Sequence, residues 1–395
     1  MSRNKKSSLT IIFITVFIDL VGFGILIPIL PTFAAKEIHI SDFQIGIVVA
    51  TYSFMQFLFN PIMGKLSDKY GRKPLIVFSL ILNSISYIIF AFTNSFLLLL
   101  FSRIIAGIGG SNIGVAQAYI ADITTKHNRS KGMGIIGAAF GLGFVFGPLI
   151  GGLLSKYGYE VVGFFAAGFS FLAFLFAAFI LSESLHKDFR ISHTNYKIFD
   201  LKSVIEVLKM PRVGFLVFLF FILIFAIANT YGTFALLGFK HYHFTDSQNG
   251  MLFGIMGLIG ALVQGAGLKR LVEKFRDSSL LLYGSIFMGV GLLMIPYGKN
   301  FIGVAIIVSI MSIGTGILQP VVLSMISKFS PQDRQGAILG INQSISALAR
   351  VFGPLWGGWT FQYLGYEFPF ITGAFFTFIS FGLIFFLLRN KESAT

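Results

Sequence analysis

One carboxylate stands alone in the first apolar stretch of the chain. The run from Leu9 to Ala35 contains Asp19 as its only ionisable residue, within the segment FIDLVGFG. A charge in apolar surroundings costs free energy unless it is paired or protonated, so the position favours a proton-coupling role. Desolvation favours the protonated acid, whereas an approaching cation favours the carboxylate. A structural role, as a fixed ion pair or a hydrogen bond between helices, is the alternative.

Two arginines lie inside other apolar runs. At 1.5 Å per residue, Arg103 lies about 10 Å from one end of its run, and Asp19 lies about 15 Å from the opposite end of the first. The two side chains are therefore expected at similar depth, with Arg103 as a partner that tunes Asp19. Arg350 lies roughly 21 Å deep in its run. It is interpreted either as a ligand for a negatively charged substrate or as a side chain that reaches the headgroups.

These residues belong to a chain with the composition of a membrane protein. Of its 395 residues, 55% are hydrophobic and only 12% are charged. Apolar runs of about 20 residues are long enough to cross the hydrocarbon layer as helices. The sequence predicts an all-α membrane protein with twelve spans, at about 9–35, 43–64, 75–94, 96–121, 132–155, 161–182, 212–239, 247–268, 278–298, 300–326, 336–359 and 367–388.

The distribution of basic residues predicts the orientation of these spans. With the N-terminus inside, the inner segments hold 24 of the lysines and arginines and the outer loops hold 4. This asymmetry follows the positive-inside rule. The chain is therefore expected to be a multi-pass protein of the plasma (inner) membrane with both termini in the cytoplasm. Contacts with anionic lipid account for the net charge of +14 without a nucleic-acid partner. The absence of cysteine excludes disulfides and thiolate chemistry.

The two halves of the chain resemble each other. FGPLIGG at 146–152 recurs as FGPLWGG at 352–358, and LSDKYGRKPL at 66–75 aligns with LVEKFRDSSL at 271–280, at offsets of 206 and 205. The expected organisation is a six-helix half at 1–182, a cytoplasmic loop at 183–211 that includes a short interfacial helix, and a second six-helix half at 212–395. Two parallel repeats around a midplane site are the layout of a carrier.

A loop between the second and third runs carries a further motif, GKLSDKYGRKP at 64–74. Together with the repeat, it resembles the signature of the major facilitator superfamily over essentially the whole chain. The resemblance implies a cytoplasmic gating latch in which Asp68 pairs with basic groups. The expected latch residues are Gly64 for a close approach, Gly71 for the turn, and Asp68, Arg72, Asp122 and Arg129 for charge pairs.

A glycine-rich stretch in the fifth run, GFVFGPLIGG, resembles the motif of the drug–proton antiporters within that family. The motif residues are Gly143, Gly147, Pro148, Gly151 and Gly152, with the proline expected to kink the helix and the glycines to allow close packing. The same resemblance implies that Arg103 takes part in proton transfer.

The first run resembles the tetracycline–proton antiporters more closely, through FIDLVGFGILIPILP and AYIADIT. Those exporters carry further acids in helices 3 and 9, which have no counterpart at 75–92 and 280–298. Asp19 is thus the only carboxylate predicted deep in the membrane.

The expected function is the export of small amphipathic molecules, multidrug or tetracycline-like, by proton antiport with alternating access. The alternatives are a uniporter or symporter of a metabolite or organic anion, and a lipid translocase. The expected partners are a small-molecule substrate, protons and membrane lipid, with no cofactor or metal, no enzymatic activity and a monomeric state. The candidate cavity residues are the remaining polar residues within spans: Gln56, Asn60, Asn112, Gln117, Asn229, Tyr231, Gln264, Gln319, Asn342, Gln343 and Arg350.

Overall fold

The computed structural model describes residues 3–124, 129–185, 201–331 and 334–392. Within these ranges the chain is helical and contains no strand. The helices are α1 (Arg3–Leu26), α2 (Ile29–Lys36), α3 (Asp42–Tyr70), α4 (Arg72–Ala91), α5 (Phe96–Gly109), α6 (Ile113–Ile123), α7 (Arg129–Leu154), α8 (Tyr159–Phe179), α9 (Leu201–Lys209), α10 (Pro211–Lys240), α11 (Asp246–Leu262), α12 (Leu268–Lys274), α13 (Asp277–Met294), α14 (Phe301–Phe329), α15 (Gln335–Tyr363) and α16 (Phe368–Glu392).

Most of these helices are long and apolar enough to cross a membrane. In the described part of the chain, nine segments meet that condition, and α11 with α12 forms a tenth span bent by 48°. The remaining two are α15, which is 29 residues long but carries several polar side chains, and α16, whose apolar part is described over Phe368–Ile384. The all-α fold with twelve spans is confirmed.

The chain divides into two compact units. The first contains residues 1–40 and 51–198, and the second contains 41–50 and 199–395. The start of α3 therefore belongs to the second unit, whereas the predicted first half, 1–182, contained the whole of that helix. In the first unit α1 packs against α7 and α8, and α4 packs against α5 and α8. In the second unit α10 packs against α15 and α16, and α13 packs against α14 and α16, so the sequence repeat reappears as a repeated packing pattern.

Two spans are interrupted where their sequences weaken the helix. The fourth span changes to a 3₁₀ turn at Gly110–Asn112, between α5 and α6. The eighth contains a π-helical turn at Val263–Gly267, between α11 and α12. Glycine is common in both segments and lowers the stability of a regular helix. Such irregular turns often occur at functional positions in helices.

Candidate functional site

The carboxylate of Asp19 lies inside the first unit, where its residue is only 5% exposed. Asn83 donates from Nδ2 to Oδ1 over 2.9 Å, and Ser170 donates from Oγ to the same oxygen over 3.1 Å. Asn112 donates from Nδ2 to Oδ2 over 3.0 Å. The three donors come from α4, α8 and the 3₁₀ turn of the fourth span. Three spans therefore converge on one acid from the first.

All three partners of Asp19 are uncharged, and two of them are amides. An amide carries both donor and acceptor atoms, and rotation about its Cβ–Cγ bond exchanges their positions. The Oδ1 atoms of Asn83 and Asn112 are buried without a hydrogen-bond partner among the described residues. The present arrangement suits an ionised carboxylate, and a rotated Asn112 amide would accept a hydrogen bond from the protonated acid.

Arg103 lies apart from this cluster. It is 4% exposed, its Nε donates to Ser102 Oγ over 3.3 Å, and its guanidinium carbon lies 5.8 Å from the centre of the Phe90 ring. Its Nη2 is buried without a partner in the described part of the chain, and no ion pair joins it to Asp19. The expected meeting of the two side chains does not occur in this structure. Similar depth was a poor guide, because depth does not fix the direction in which a side chain leaves its helix.

Tyr87 is the residue that relates the two charged groups. It is buried in α4, and both Asp19 and Arg103 lie within electrostatic range of its hydroxyl. Its ring also lies 3.6 Å from the position that a Cβ would take at Gly22. Tyr87, like Asn83 and Ser170, was not predicted from the sequence as a site residue.

The interruption of the fourth span brings Asn112 to the acid. Gln56 donates from Nε2 to the carbonyl oxygen of Gly110 over 2.9 Å and contacts the Tyr52 hydroxyl over 3.0 Å. Gly107 allows the second span to approach, since a Cβ there would lie 2.6 Å from the Tyr52 carbonyl oxygen. Gln56, a candidate cavity residue, thus binds the backbone of the fourth span only two residues before Asn112, which donates to Asp19.

The glycine motif of α7 packs directly on α1. A Cβ at Gly147 would lie 2.6 Å from the Cα of Gly24, and one at Gly143 would lie 2.8 Å from the Cβ of Leu20. Gly151 makes a still closer approach to the backbone of Ile25. These glycines recur every four residues and so form one stripe along the helix. The stripe fixes the stretch of α1 that follows Asp19.

Two further members of the motif complete this contact. The ring Cδ of Pro148 would lie 3.3 Å from a Cβ at Gly24, and α7 continues as one helix through the proline. The carbonyl oxygen of Gly152 accepts a hydrogen bond from Ser155 Oγ over 2.9 Å. In the second unit the repeated motif packs in the same way, with Gly353 on the backbone of Asn229.

A second cluster surrounds Arg72, a buried arginine at the start of α4. Its Nη1 lies 2.6 Å from Asp68 Oδ1 and donates to Ser67 Oγ over 2.6 Å. Its Nε lies 3.1 Å from Asp122 Oδ2. The structure thus brings together three of the predicted latch residues, Asp68, Arg72 and Asp122.

The start of α4 also has an acidic cap that sequence analysis missed. Glu183 accepts hydrogen bonds from the backbone N–H groups of Arg72 over 2.9 Å and Lys73 over 3.3 Å. A carboxylate at this position compensates the unpaired N–H groups and the positive end of the helix dipole. Gly71, just before the helix, has φ 109°, a backbone conformation that a residue with a side chain rarely adopts.

The two remaining latch residues are Gly64 and Arg129. At Gly64, no described atom of the first unit lies within 4 Å of the position of a Cβ, and the predicted close approach stays a prediction. Gly64 lies inside α3, and its carbonyl oxygen accepts a hydrogen bond from Ser67 Oγ over 2.7 Å. Arg129 begins α7, and its side chain lies outside the described part of the structure.

The candidate cavity residues fall into three groups. In the first unit Gln56 and Asn112 join the Asp19 network. In the second unit Asn229 donates to the carbonyl oxygen of Pro369, and Tyr231 lies within electrostatic range of Arg350. The amide of Asn342 is fully buried, with no partner among the described residues. The others are exposed or half-buried: Asn60, Gln117, Gln264, Gln319 and Gln343.

Comparison with known proteins identifies the family to which this chain belongs. A family model described as Major Facilitator Superfamily matches residues 12–276 and 239–395. The chain belongs to the major facilitator superfamily. It is a multi-pass membrane transporter, and this family is not one of enzymes.

Relatives in this superfamily cover nearly all of the chain. Multidrug resistance protein 2 of Bacillus subtilis (strain 168) is 30% identical over 405 residues, which cover 100% of this chain and 98% of the relative. Tetracycline resistance protein, class C, of Escherichia coli is 30% identical over 354 residues, 89% of each protein. The crystal structure of the human organic anion transporter MFSD10 superimposes with a TM-score of 0.73 at 24% identity, covering 97% of this chain and 100% of the other. That likeness shows the shared major facilitator fold.

Proposed function

We propose that this major facilitator protein exports small amphipathic molecules in exchange for protons. It works by alternating access, with both termini in the cytoplasm. A complete proton site lies within one chain, so a monomer is sufficient. The observation that carries the proposal is the buried carboxylate of Asp19, which sits in a membrane span and is held by three neutral donors.

The surroundings of Asp19 support proton binding. An ionised side chain near the middle of a bilayer costs at least ~2.5–3.5 kcal/mol, so a site that also accommodates the neutral acid has a natural reason to take up a proton. Asn112 supplies that second arrangement, because its unpartnered Oδ1 becomes the acceptor when the amide rotates. Proton binding at Asp19 would then alter the hydrogen bond to the 3₁₀ turn of the fourth span.

In this proposal Arg103 responds to proton binding at Asp19 without contacting its carboxylate. Its Nη2 is buried with no partner among the residues that the structure describes, and Tyr87 lies within electrostatic range of both charged groups. Conversion of Asp19 to its neutral form removes a negative charge from this region and leaves the charge of Arg103 less compensated. A rearrangement of Arg103 is therefore the expected response to proton binding.

The Arg72 cluster is proposed as the gating latch. Arg72 bridges Asp68, on the last turn of α3, and Asp122, on the last turns of α6. A pair that is broken and remade between two states can act as a switch. Glu183 holds the start of α4 in position for this bridge.

The names of the relatives favour drug-like substrates for this chain. They include multidrug resistance and tetracycline resistance proteins from bacteria. The substrate-facing residues proposed here are Gln56, which touches the interrupted fourth span, and Tyr231 beside Arg350.

Transport of an organic anion is a second candidate, favoured by one observation. Arg103 is buried, its Nη2 has no partner in the described ranges, and the carboxylate of Asp19 is satisfied by neutral groups instead. A buried cation without a counter-ion attracts a negatively charged ligand. The human protein with the same fold is described as an organic anion transporter.

Everted vesicles with an acidic interior would test both candidates. We would add cationic dyes, tetracyclines and anionic amphiphiles in turn and record proton efflux from the lumen. Efflux driven by cationic or zwitterionic compounds supports drug–proton antiport, and efflux driven only by anions supports the second candidate. Transport that persists after collapse of the proton gradient contradicts antiport.

Asp19→Asn tests the site itself, because asparagine keeps the size and loses the titration. Proton efflux should disappear in this variant. Asp277→Asn is the matched control, since it removes a carboxylate that pairs with Lys328 at the surface. Unchanged efflux in Asp19→Asn would mean that Asp19 is structural.

A further inference from the structure

The nine-residue helix α9 lies immediately before the seventh span and has an unusual exposed face. Its sequence, LKSVIEVLK, separates apolar and charged residues strongly around the helix axis. Val207 is 1% exposed and packs inward, whereas Ile205 is 44% exposed and Leu208 is 45% exposed. Two large apolar side chains therefore point away from the protein on a helix that already has a buried side.

Several contacts fix α9 against the second unit. Gly214 allows the backbone of Leu208 to approach α10 closely, and the N–H of Met210 bonds to the carbonyl oxygen of Val207 over 3.1 Å. Glu206, the acid of α9, lies 3.1 Å from Arg334 at the base of α15. The exposure of Ile205 is thus a property of a held helix and not of a frayed one.

Basic residues border the exposed apolar side. Lys202 and Lys209 are seven residues apart and lie on one line along the helix, about 60–100° from the line of Ile205 and Leu208. Both lysines are exposed. Arg212 follows on the first turn of α10, where its guanidinium lies 5.6 Å from the centre of the Phe329 ring. The two lysines therefore lie beside the apolar side chains, and a third positive charge follows at the start of α10.

We propose that α9 is a lipid-binding helix that lies in the membrane–water interface and selects anionic phospholipids. Ile205 and Leu208 enter the acyl-chain boundary, while Lys202 and Lys209 bind the negatively charged headgroups. This arrangement is the one expected of an amphipathic helix with basic residues at its polar border.

The chain itself places the bilayer beside this helix. Only Met210 separates α9 from α10, and α10 begins its membrane span at Pro211. At a few ångström per residue, the C-terminal end of α9 therefore lies close to the surface of the membrane that α10 enters. A lipid partner therefore fits the exposed side better than a soluble protein does, and the lysines specify the anionic class.

The absence of cysteine from the chain permits a direct test. A fluorophore would be attached to Ile205→Cys, and in a second protein to Leu208→Cys, each reconstituted in vesicles. Brominated phosphatidylglycerol or brominated phosphatidylcholine would then be the quencher, at equal bromine content. Quenching by the brominated phosphatidylglycerol should exceed that by the phosphatidylcholine at least twofold. Adding Lys202→Gln with Lys209→Gln should make the two equal.

Two controls separate binding from general charge effects. Lys156→Gln with Lys299→Gln removes two exposed lysines elsewhere in the chain and should leave the preference intact. A fluorophore at Lys299→Cys should show no preference between the two lipids. If neither lipid quenched the fluorophore at position 205 or 208, α9 would lie in water. If both lipids quenched it equally while Lys202 and Lys209 were intact, α9 would not select anionic lipid. Either result overturns the proposal.

Discussion

The amide of Asn112 and the carboxylate of Asp19 are joined by a hydrogen bond of 3.0 Å between Nδ2 and Oδ2. Asn112 is the last residue of the 3₁₀ turn that interrupts the fourth span. The protonation state of the acid is therefore connected by a single contact to the least regular part of a neighbouring helix. This contact gives the proposed proton site a means of changing the shape of the transporter.

Replacement of Asn112 by leucine should uncouple transport from protons. The variant removes a hydrogen bond to a charged group, which is worth about 1.5–3 kcal/mol, and removes the acceptor that the protonated acid would use. Proton release on addition of a transported compound to purified protein should fall at least tenfold. Gln117→Leu, at an exposed position five residues further along the span, should release protons as the parent does. Full proton release from Asn112→Leu would mean that the amide does not take part.

Replacement of Gly151 by alanine should destabilise the packing of α1 on α7. The added Cβ overlaps the backbone of Ile25, and overpacking of this kind costs about 1–3 kcal/mol. We expect a lower unfolding temperature in detergent and reduced transport. Gly137→Ala is the control in the same helix, because no described atom lies within 4 Å of its Cβ position. Equal unfolding temperatures for the two variants would contradict the close contact.

Replacement of Asp122 by asparagine should weaken the bridge around Arg72. Arg72 is buried, so the loss of one of its two acids leaves part of its charge uncompensated. We expect transport to fall several-fold, and a double-mutant cycle with Arg72→Met to give a coupling free energy of about 1–3 kcal/mol. Lys69→Met removes an exposed basic residue of the last turn of α3 and should have little effect. Additive effects of the two substitutions would rule out a direct pair.

Replacement of Lys240 by methionine should destabilise the second unit, although the lysine side chain itself is partly exposed. Its Nζ pairs with Asp42 Oδ1 over 2.5 Å, and the carboxylate side chain is only 11% exposed. Removal of the lysine leaves that acid buried without its cation, at a cost of about 1–3 kcal/mol. Adding Asp42→Asn should restore much of the lost unfolding temperature. A double variant less stable than Lys240→Met would show that the pair is not the cause.

Much of the fold could be predicted from the sequence, because each span is recognised by its own apolar length. The glycine repeat also predicted a packing surface, and the structure places Gly147 and Gly353 against the paired helices α1 and α10. Asp68 and Arg72 were proposed as a pair from a motif with fixed spacing, and Asp122 was proposed as their partner from the next inner loop. In these cases the informative residues lie within one short segment, or the segment recurs in the second half at a constant offset.

The partners of Asp19 could not be predicted in the same way. Asn83 and Ser170 are ordinary polar residues of membrane helices, and which of them reaches the acid depends on the rotation of α4 and α8 about their axes. Arg103 was favoured as a partner because opposite charges at equal depth attract. The structure satisfies the acid with neutral donors, since three hydrogen bonds compensate a carboxylate without a second charge to bury.

The π-helical turn at Val263–Gly267 has a consequence for the history of the two halves. At the offset of 205 it corresponds to the segment of α3 that contains Pro61, so the second span has a proline inside a continuous helix where the eighth has a π turn. A proline removes one amide donor, whereas a π turn accommodates one surplus residue inside the helix. An insertion of that kind needs no longer loop, and it turns everything beyond it by about 100°. The eighth span is thus a place where the duplicated half could gain a residue and reorient its inner end, with the connections on both sides left as they were.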